Sequence, residues 1–226
     1  MTETEIIAII PIRFLPSTKN RLERSLDTSQ RQRLVQAMLT DVIKAVEQSK
    51  LISRFVIVTQ DKDFLASFSD PLFEIHRSVS QGLNEELTEY VTQLGQSQRG
   101  YALIILGDLP LLTGATLDEL IWSGLQSKRP VIAKDWKGSG TNVLFFAYPL
   151  GFKLQFGEKS FQKHMKELQK NELNPIVYHS MATALDIDDG AAIRQLRILA
   201  QEDEVIQEAQ TFQVLFVDEK RGGKVV

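Results

Sequence analysis

The run Leu103-Ile104-Ile105-Leu106-Gly107-Asp108-Leu109-Pro110 carries an apolar stretch to a glycine and a carboxylate. A carboxylate so placed leaves the carboxyl end of a buried strand, where open α/β sheets bind their ligands, and Pro110 favours an extended chain beyond it. Further on, Asp186-Ile187-Asp188-Asp189 sets three acids within four positions. In an extended segment Asp186 and Asp188 point the same way, and Asp189 is placed to cap a helix starting near Ala191. Joined to Asp108, this group is a hard-oxygen site of the kind Mg²⁺ uses, one or two carboxylates completed by phosphate oxygens and water. Taken singly, each acid is also an ordinary turn or cap residue.

The segment after Pro11 has the opposite sign. Arg13, Lys19, Arg21 and Arg24 stand there against Glu23 alone. The whole chain has a formal net charge of −3, which disfavours a protein built to coat nucleic acid or an anionic membrane, so any anion must be held locally. Such a loop grips a triphosphate through side chains, or is simply solvated. Backbone cradles are excluded: no glycine precedes Gly82, so the first turn is neither a dinucleotide fingerprint nor a Walker A loop.

Two small-residue segments come later, Gly138-Ser139-Gly140-Thr141-Asn142 and Gly157-Glu158-Lys159-Ser160. They expose backbone N–H groups, and the second opens a helix, whose amino terminus favours an anion; tight turns with serine caps explain them equally. His76, His164 and His179 lack metal-ligand spacing and read as surface or packing residues. There is no G-x-S-x-G elbow, and the absence of cysteine removes thiol, disulfide and iron–sulfur chemistry.

Positioning these residues requires a sheet, and the apolar pattern supplies one. Short β-branched runs at Ile6–Ile12, Phe55–Thr59, Phe73–Arg77, Tyr101–Leu106, Pro130–Ala133, Asn142–Ala147 and Pro175–His179 alternate with amphipathic segments. Helices are expected with Asp27, Thr28 or Ser29 as cap and Leu34, Met38, Val42 and Val46 facing the core, at Asp61–Ser69, at Leu83–Leu94, Leu117–Leu125, Phe161–Gln169 and Ala191–Ala200. The pattern is α/β, a mostly parallel sheet covered by helices on both faces. We assign one domain to 1–203 and a C-terminal extension to 204–226, with Gln213–Val217 as an edge strand and Lys220–Val226 as a frayed tail. With 226 residues, 43% of them hydrophobic, the chain can bury a sizeable core. No secretory signal or membrane-spanning run is evident, so the cytoplasm is the expected setting.

In their order and spacing these segments resemble the 2-phospho-L-lactate guanylyltransferase family, the CofC-like enzymes of coenzyme F-420 biosynthesis, over Ile6 to Leu199. The resemblance lies in Pro11, Lys19, Arg21 and Leu22; in Gly82-Leu83-Asn84; in Gly107 to Pro110; in Gly138 to Asn142; in Phe156, Gly157 and Ser160; and in Asp186-Ile187-Asp188. It implies a three-layer α/β/α, Rossmann-like fold of the nucleotide-diphospho-sugar-transferase type. It also implies transfer of GMP from GTP to 2-phospho-L-lactate, phosphoenolpyruvate or 3-phospho-D-glycerate, with Mg²⁺ as cofactor. By the same resemblance Asp108 and Asp188 are the metal ligands, Arg13, Lys19 and Arg21 face the triphosphate, and Asn84 lies near the nucleoside. Thr141, Gly157 and Ser160 would hold the acceptor; no nucleic acid or membrane partner is implied, and any assembly would be a homodimer. Two other readings remain at this stage: a sugar- or molybdopterin-nucleotide transferase, against which the missing glycine-rich first loop speaks, and an inactive nucleotide-binding module, against which the paired aspartates speak.

Overall fold

A computed structural model describes residues 4–12, 19–23, 25–60, 74–78, 80, 82–97 and 99–217. Arg13, Arg24, the helix expected at 61–69 and the tail at 220–226 lie outside these residues. Strands β1 (Ile6–Pro11), β2 (Arg54–Thr59), β3 (Glu74–Arg77), β4 (Gly100–Ile105), β5 (Val131–Lys134), β6 (Thr141–Tyr148) and β7 (Ile176–Tyr178) form one sheet in the order β3-β2-β1-β4-β6-β5-β7. All pairings are parallel except those of β6, which runs antiparallel to β4 and β5. The mostly parallel α/β layout read from the sequence is therefore correct.

β1 is buried along its whole length, and its two faces feed two cores. Ala8 and Ile10 pack on one side with Leu39, Val42 and Val46 of helix α1 (Thr28–Gln48) and with Leu117, Leu120 and Ile121 of helix α3 (Gly114–Ser127). Ile7 and Ile9 pack on the other with Leu87, Val91 and Leu94 of helix α2 (Leu83–Ser97) and with Leu168 of helix α4 (Ser160–Lys170). A continuous apolar strand between two helical layers is what a two-sided parallel sheet demands. α1 starts where Asp27 and Gln30 form a reciprocal capping box, worth about 1 kcal/mol.

β1 and β4 are neighbours, yet the chain leaves β1 toward β2 on one side and later returns through β4 to the other. This is a topological switch point, and the loops at the carboxyl ends of these two strands border the crevice where such sheets bind ligands. Because β6 is antiparallel, its first residues lie at that same edge: Ile105 is in register with Val143, and Leu106 N donates to Asn142 O at 3.0 Å.

A third cluster packs helix α6 (Gly190–Leu199) and Leu215 onto α1, through Leu34, Met38, Leu185, Ile187 and Leu196. Helix α5 (Met181–Ala184) precedes it. The edge strand expected at Gln213–Val217 is not formed; the segment is a π-helical turn. Phe212 and Phe216 meet at 4.7 Å with Leu215 buried beside them, so four-residue spacing prevails over the β-branched composition that suggested a strand. Among the described residues no helix is long and apolar enough to cross a membrane.

Candidate functional site

Asp108 follows β4 directly. The chain beyond it turns instead of running extended, with Leu112 N donating to Leu109 O at 3.2 Å, and the cap of α3 is Thr113. Asp108 is thus not consumed as a helix cap. The segment between α5 and α6 is docked against it by a backbone bond from Ile187 N to Asp108 O of 3.2 Å. Ile187 is fully buried, and the residues on either side of it, Asp186 and Asp188, turn back toward Asp108. One carboxylate oxygen from each of Asp108, Asp186 and Asp188 lies within 4.8 Å of the others. Asp189 stands apart, its Oδ1 capping α6 at Ala191 N and Ala192 N, both at 3.0 Å, and its Oδ2 paired with Lys137 Nζ at 2.7 Å.

Lys19 reaches this cluster from the β1 side. It opens the 3₁₀ turn Asn20–Leu22 with a left-handed backbone, and the buried Leu22 anchors that turn. Its ammonium donates to Asp108 Oδ2 at 2.7 Å and to Asp188 Oδ1 at 2.5 Å. Burial works against the charged ammonium, but the charges of Asp108 and Asp188 outweigh it and raise the lysine pKa above its ordinary value. For Asp188, burial favours the neutral acid, yet Lys19 and then Arg21 hold the carboxyl below the usual range. At Asp186 the balance is reversed: burial, then the charges of Asp108 and Asp188, outweigh the pull of Lys19 and push it up to about 7.

Asp108 Oδ1 and Asp186 Oδ1 are buried without a hydrogen-bond donor. A buried carboxylate oxygen left in that state is costly unless a cation or proton reaches it. Hard oxygens in this number, with two lacking a partner, fit a divalent metal ion. Asp186 is the member that was not assigned to the metal from the sequence, although its alternation with Asp188 was visible there.

The two small-residue segments are joined. Thr141 N donates to Ser160 Oγ at 2.8 Å, and Phe161 N to Ser139 O at 3.0 Å. Thr141 Oγ1 meets His164 Nδ1 at 3.0 Å, and Gln155 N donates to His164 Nε2 at 2.8 Å. Since Nε2 accepts, a neutral ring carries its proton on Nδ1 and donates to Thr141, leaving the threonine hydroxyl hydrogen free to be given elsewhere. Burial keeps His164 neutral, with its pKa lowered to about 4. His164 is therefore an organiser of Thr141, a role its position four residues after Ser160 on one helix face could have suggested. Ser160 Oγ and the backbone N–H groups of Ser160 and Phe161 are already used, the first of these N–H groups donating to Gly157 O at 3.0 Å. The helix start is more a closed corner than an open anion cradle. Gly157 holds φ at +113°, which a side chain disfavours.

Asn84 joins the same corner. Phe156 N donates to its Oδ1 at 2.6 Å, and its Nδ2 donates to Phe156 O at 3.1 Å. The amide expected near the nucleoside is thus engaged in fixing the backbone just before Gly157. Arg21 is exposed, and its charge reaches both Asp188 and Lys137.

The α/β fold recurs in a protein from Desulfovibrio desulfuricans G20 described as a nucleotide-diphospho-sugar transferase, which superposes with a TM-score of 0.78 at 13% identity, over 96% of both chains. The sequence profile of the family described as "Guanylyl transferase CofC like" matches residues 6–216, and the chain belongs to that family. Among its relatives, a phosphoenolpyruvate guanylyltransferase of Thermobaculum terrenum is 28% identical over 100% of this chain and 99% of its own. A 2-phospho-L-lactate guanylyltransferase of Methanothermobacter thermautotrophicus is 30% identical, covering 80% of this chain and 79% of its own.

Proposed function

We propose that the protein transfers GMP from GTP to a small phosphorylated carboxylic acid of the 2-phospho-L-lactate, phosphoenolpyruvate or 3-phospho-D-glycerate kind, in coenzyme F-420 biosynthesis. The observation that carries this reading is the convergence of Asp108, Asp186 and Asp188 at the switch point with two buried carboxylate oxygens unpaired. The three aspartates would hold Mg²⁺, which when bound supplies positive charge beside the reacting phosphates. Lys19 and Arg21 neutralise the triphosphate from the β1 side and orient it. Thr141 offers its free hydroxyl hydrogen to the acceptor, with the shape of that corner fixed by Asn84, Gly157, Ser160 and His164.

In the reaction an acceptor phosphate oxygen forms a bond to the α-phosphorus of GTP. The bond to the bridging oxygen breaks, and pyrophosphate leaves with that electron pair. A phosphate monoester has its second pKa near ~6, so at neutral pH it is already largely dianionic. No general base is needed, in keeping with a histidine that is buried, neutral and committed to Thr141. Positioning and charge neutralisation carry the catalysis.

The test is a pyrophosphate-release assay that crosses four nucleoside triphosphates with the three acids, with and without a chelator. Release with GTP and at least one acid, abolished by the chelator, is expected. Silence across the whole grid with Mg²⁺ present overturns the proposal.

A further inference from the structure

Lys19 occupies the place of a cation. Its side chain is only 8% exposed, and it spans Asp108 and Asp188 while Asp108 Oδ1 and Asp186 Oδ1 remain unpaired. One ammonium thus faces three carboxylates and bonds two of them. A divalent ion approaching these oxygens would contact them at ~2.1 Å for Mg²⁺, inside the distances the ammonium now holds, and the two cations would repel.

We propose that Lys19 is the resident counter-ion of the carboxylate cluster in the nucleotide-free protein, and that the metal ion is fully held only once this ammonium leaves. This rests on reading the cluster as a metal site. The backbone permits the exchange without refolding: Leu22 N donates to Lys19 O at 2.9 Å and Leu22 is buried, so the main chain is anchored and the flexible four-carbon stem makes the move. A triphosphate offers the departing ammonium a new anionic partner. Nucleotide and metal then strengthen each other's binding by the same factor, because each favours the state in which Lys19 has left the carboxylates.

The distinguishing feature is direction. A lysine that only contacts nucleotide has no effect on metal affinity in the absence of nucleotide, whereas a resident counter-ion weakens it. Mn²⁺ binding to the nucleotide-free protein, read from the loss of the free-ion electron paramagnetic resonance signal, is compared for the parent, Lys19→Met, Lys19→Gln and Lys19→Arg. The two neutral variants should bind Mn²⁺ about tenfold more tightly than the parent, the factor equivalent to one charged hydrogen-bond partner, and Lys19→Arg should stay near the parent. In the parent alone, the rate of reductive methylation of Lys19, followed by mass spectrometry, should rise several-fold on saturation with Mn²⁺ as the amine leaves its carboxylate partners.

Neutral variants that bind Mn²⁺ no more tightly than a parent that does bind it overturn the inference while leaving the metal site intact. So does a methylation rate that Mn²⁺ does not change, a readout available even if the variants do not fold. If neither parent nor variants bind Mn²⁺ with or without GTP, the metal reading of the cluster falls and the inference with it.

Discussion

The backbone N–H of Ile187 donates to the carbonyl oxygen of Asp108 at 3.2 Å, a bond that joins two segments distant in the chain and places the flanking carboxylates of Asp186 and Asp188 against that of Asp108. The bond uses main-chain atoms only. The cluster can therefore lose a charge without losing its scaffold.

Asp108→Asn and Asp186→Asn should each lower kcat by about 100-fold or more while the thermal midpoint stays close to the parent value, since an amide is a poor ligand for a hard cation. Steady-state kinetics and a melting curve for each variant check this. Activity within tenfold of the parent in either variant would remove that residue from the metal site.

Much of this arrangement was legible in the sequence because its causes are local. The fully apolar β1, a first long helix capped within Asp27 to Ser29, and the cap at Asp189 each follow from residues within a turn of one another. Asp186 was legible only in part: its alternation with Asp188 gave the side on which it points, but its third place in the cluster depends on the bond between Ile187 and Asp108. The contact of Lys19 with both Asp108 and Asp188 likewise depends on which strands become neighbours. At Gln213–Val217 local composition misled, because Val214, Leu215, Phe216 and Val217 suit a strand, whereas burial of Leu215 against the Leu34 and Leu196 cluster curls the segment.

Thr141→Val keeps the volume of the side chain and removes its hydroxyl. The KM for the phosphorylated acid should rise by about tenfold, the cost of one hydrogen bond to an anion, while the KM for GTP stays within twofold. Measuring both constants checks the asymmetry. A rise for GTP alone would show that this corner belongs to the nucleotide.

His164 makes stability depend on pH. Its folded pKa, near 4, lies below the ordinary 6.5, so between these values the unfolded chain binds the proton and the folded chain does not. Its contribution is therefore intact above pH 6.5 and is lost progressively as pH falls toward 4, by about 3 kcal/mol at full extent. Denaturant melts at several pH values should show this slope. His164→Gln, less stable overall, should lack that component of it.

Asp41 anchors the segment around Gln210 and Thr211. From α1 it accepts Gln210 N at 2.8 Å, Thr211 N at 2.9 Å and Thr211 Oγ1 at 2.6 Å. Asp41→Ala leaves those donors unpaired and should cost about 2–3 kcal/mol. Amide exchange over residues 204–217 should speed up in the variant; unchanged protection there would show that the apolar contacts of Leu215 alone hold this segment.

Phosphorus NMR of a mixture of the protein, GTP, Mg²⁺ and each of the three acids tests the central claim most directly, because it identifies the bond made. Guanylyl transfer predicts a pair of coupled diphosphate resonances from the new P–O–P linkage, appearing together with an equal amount of pyrophosphate and absent when Mg²⁺ is chelated. Conversion of GTP to GDP and inorganic phosphate, or intact GTP with every acid, would contradict it.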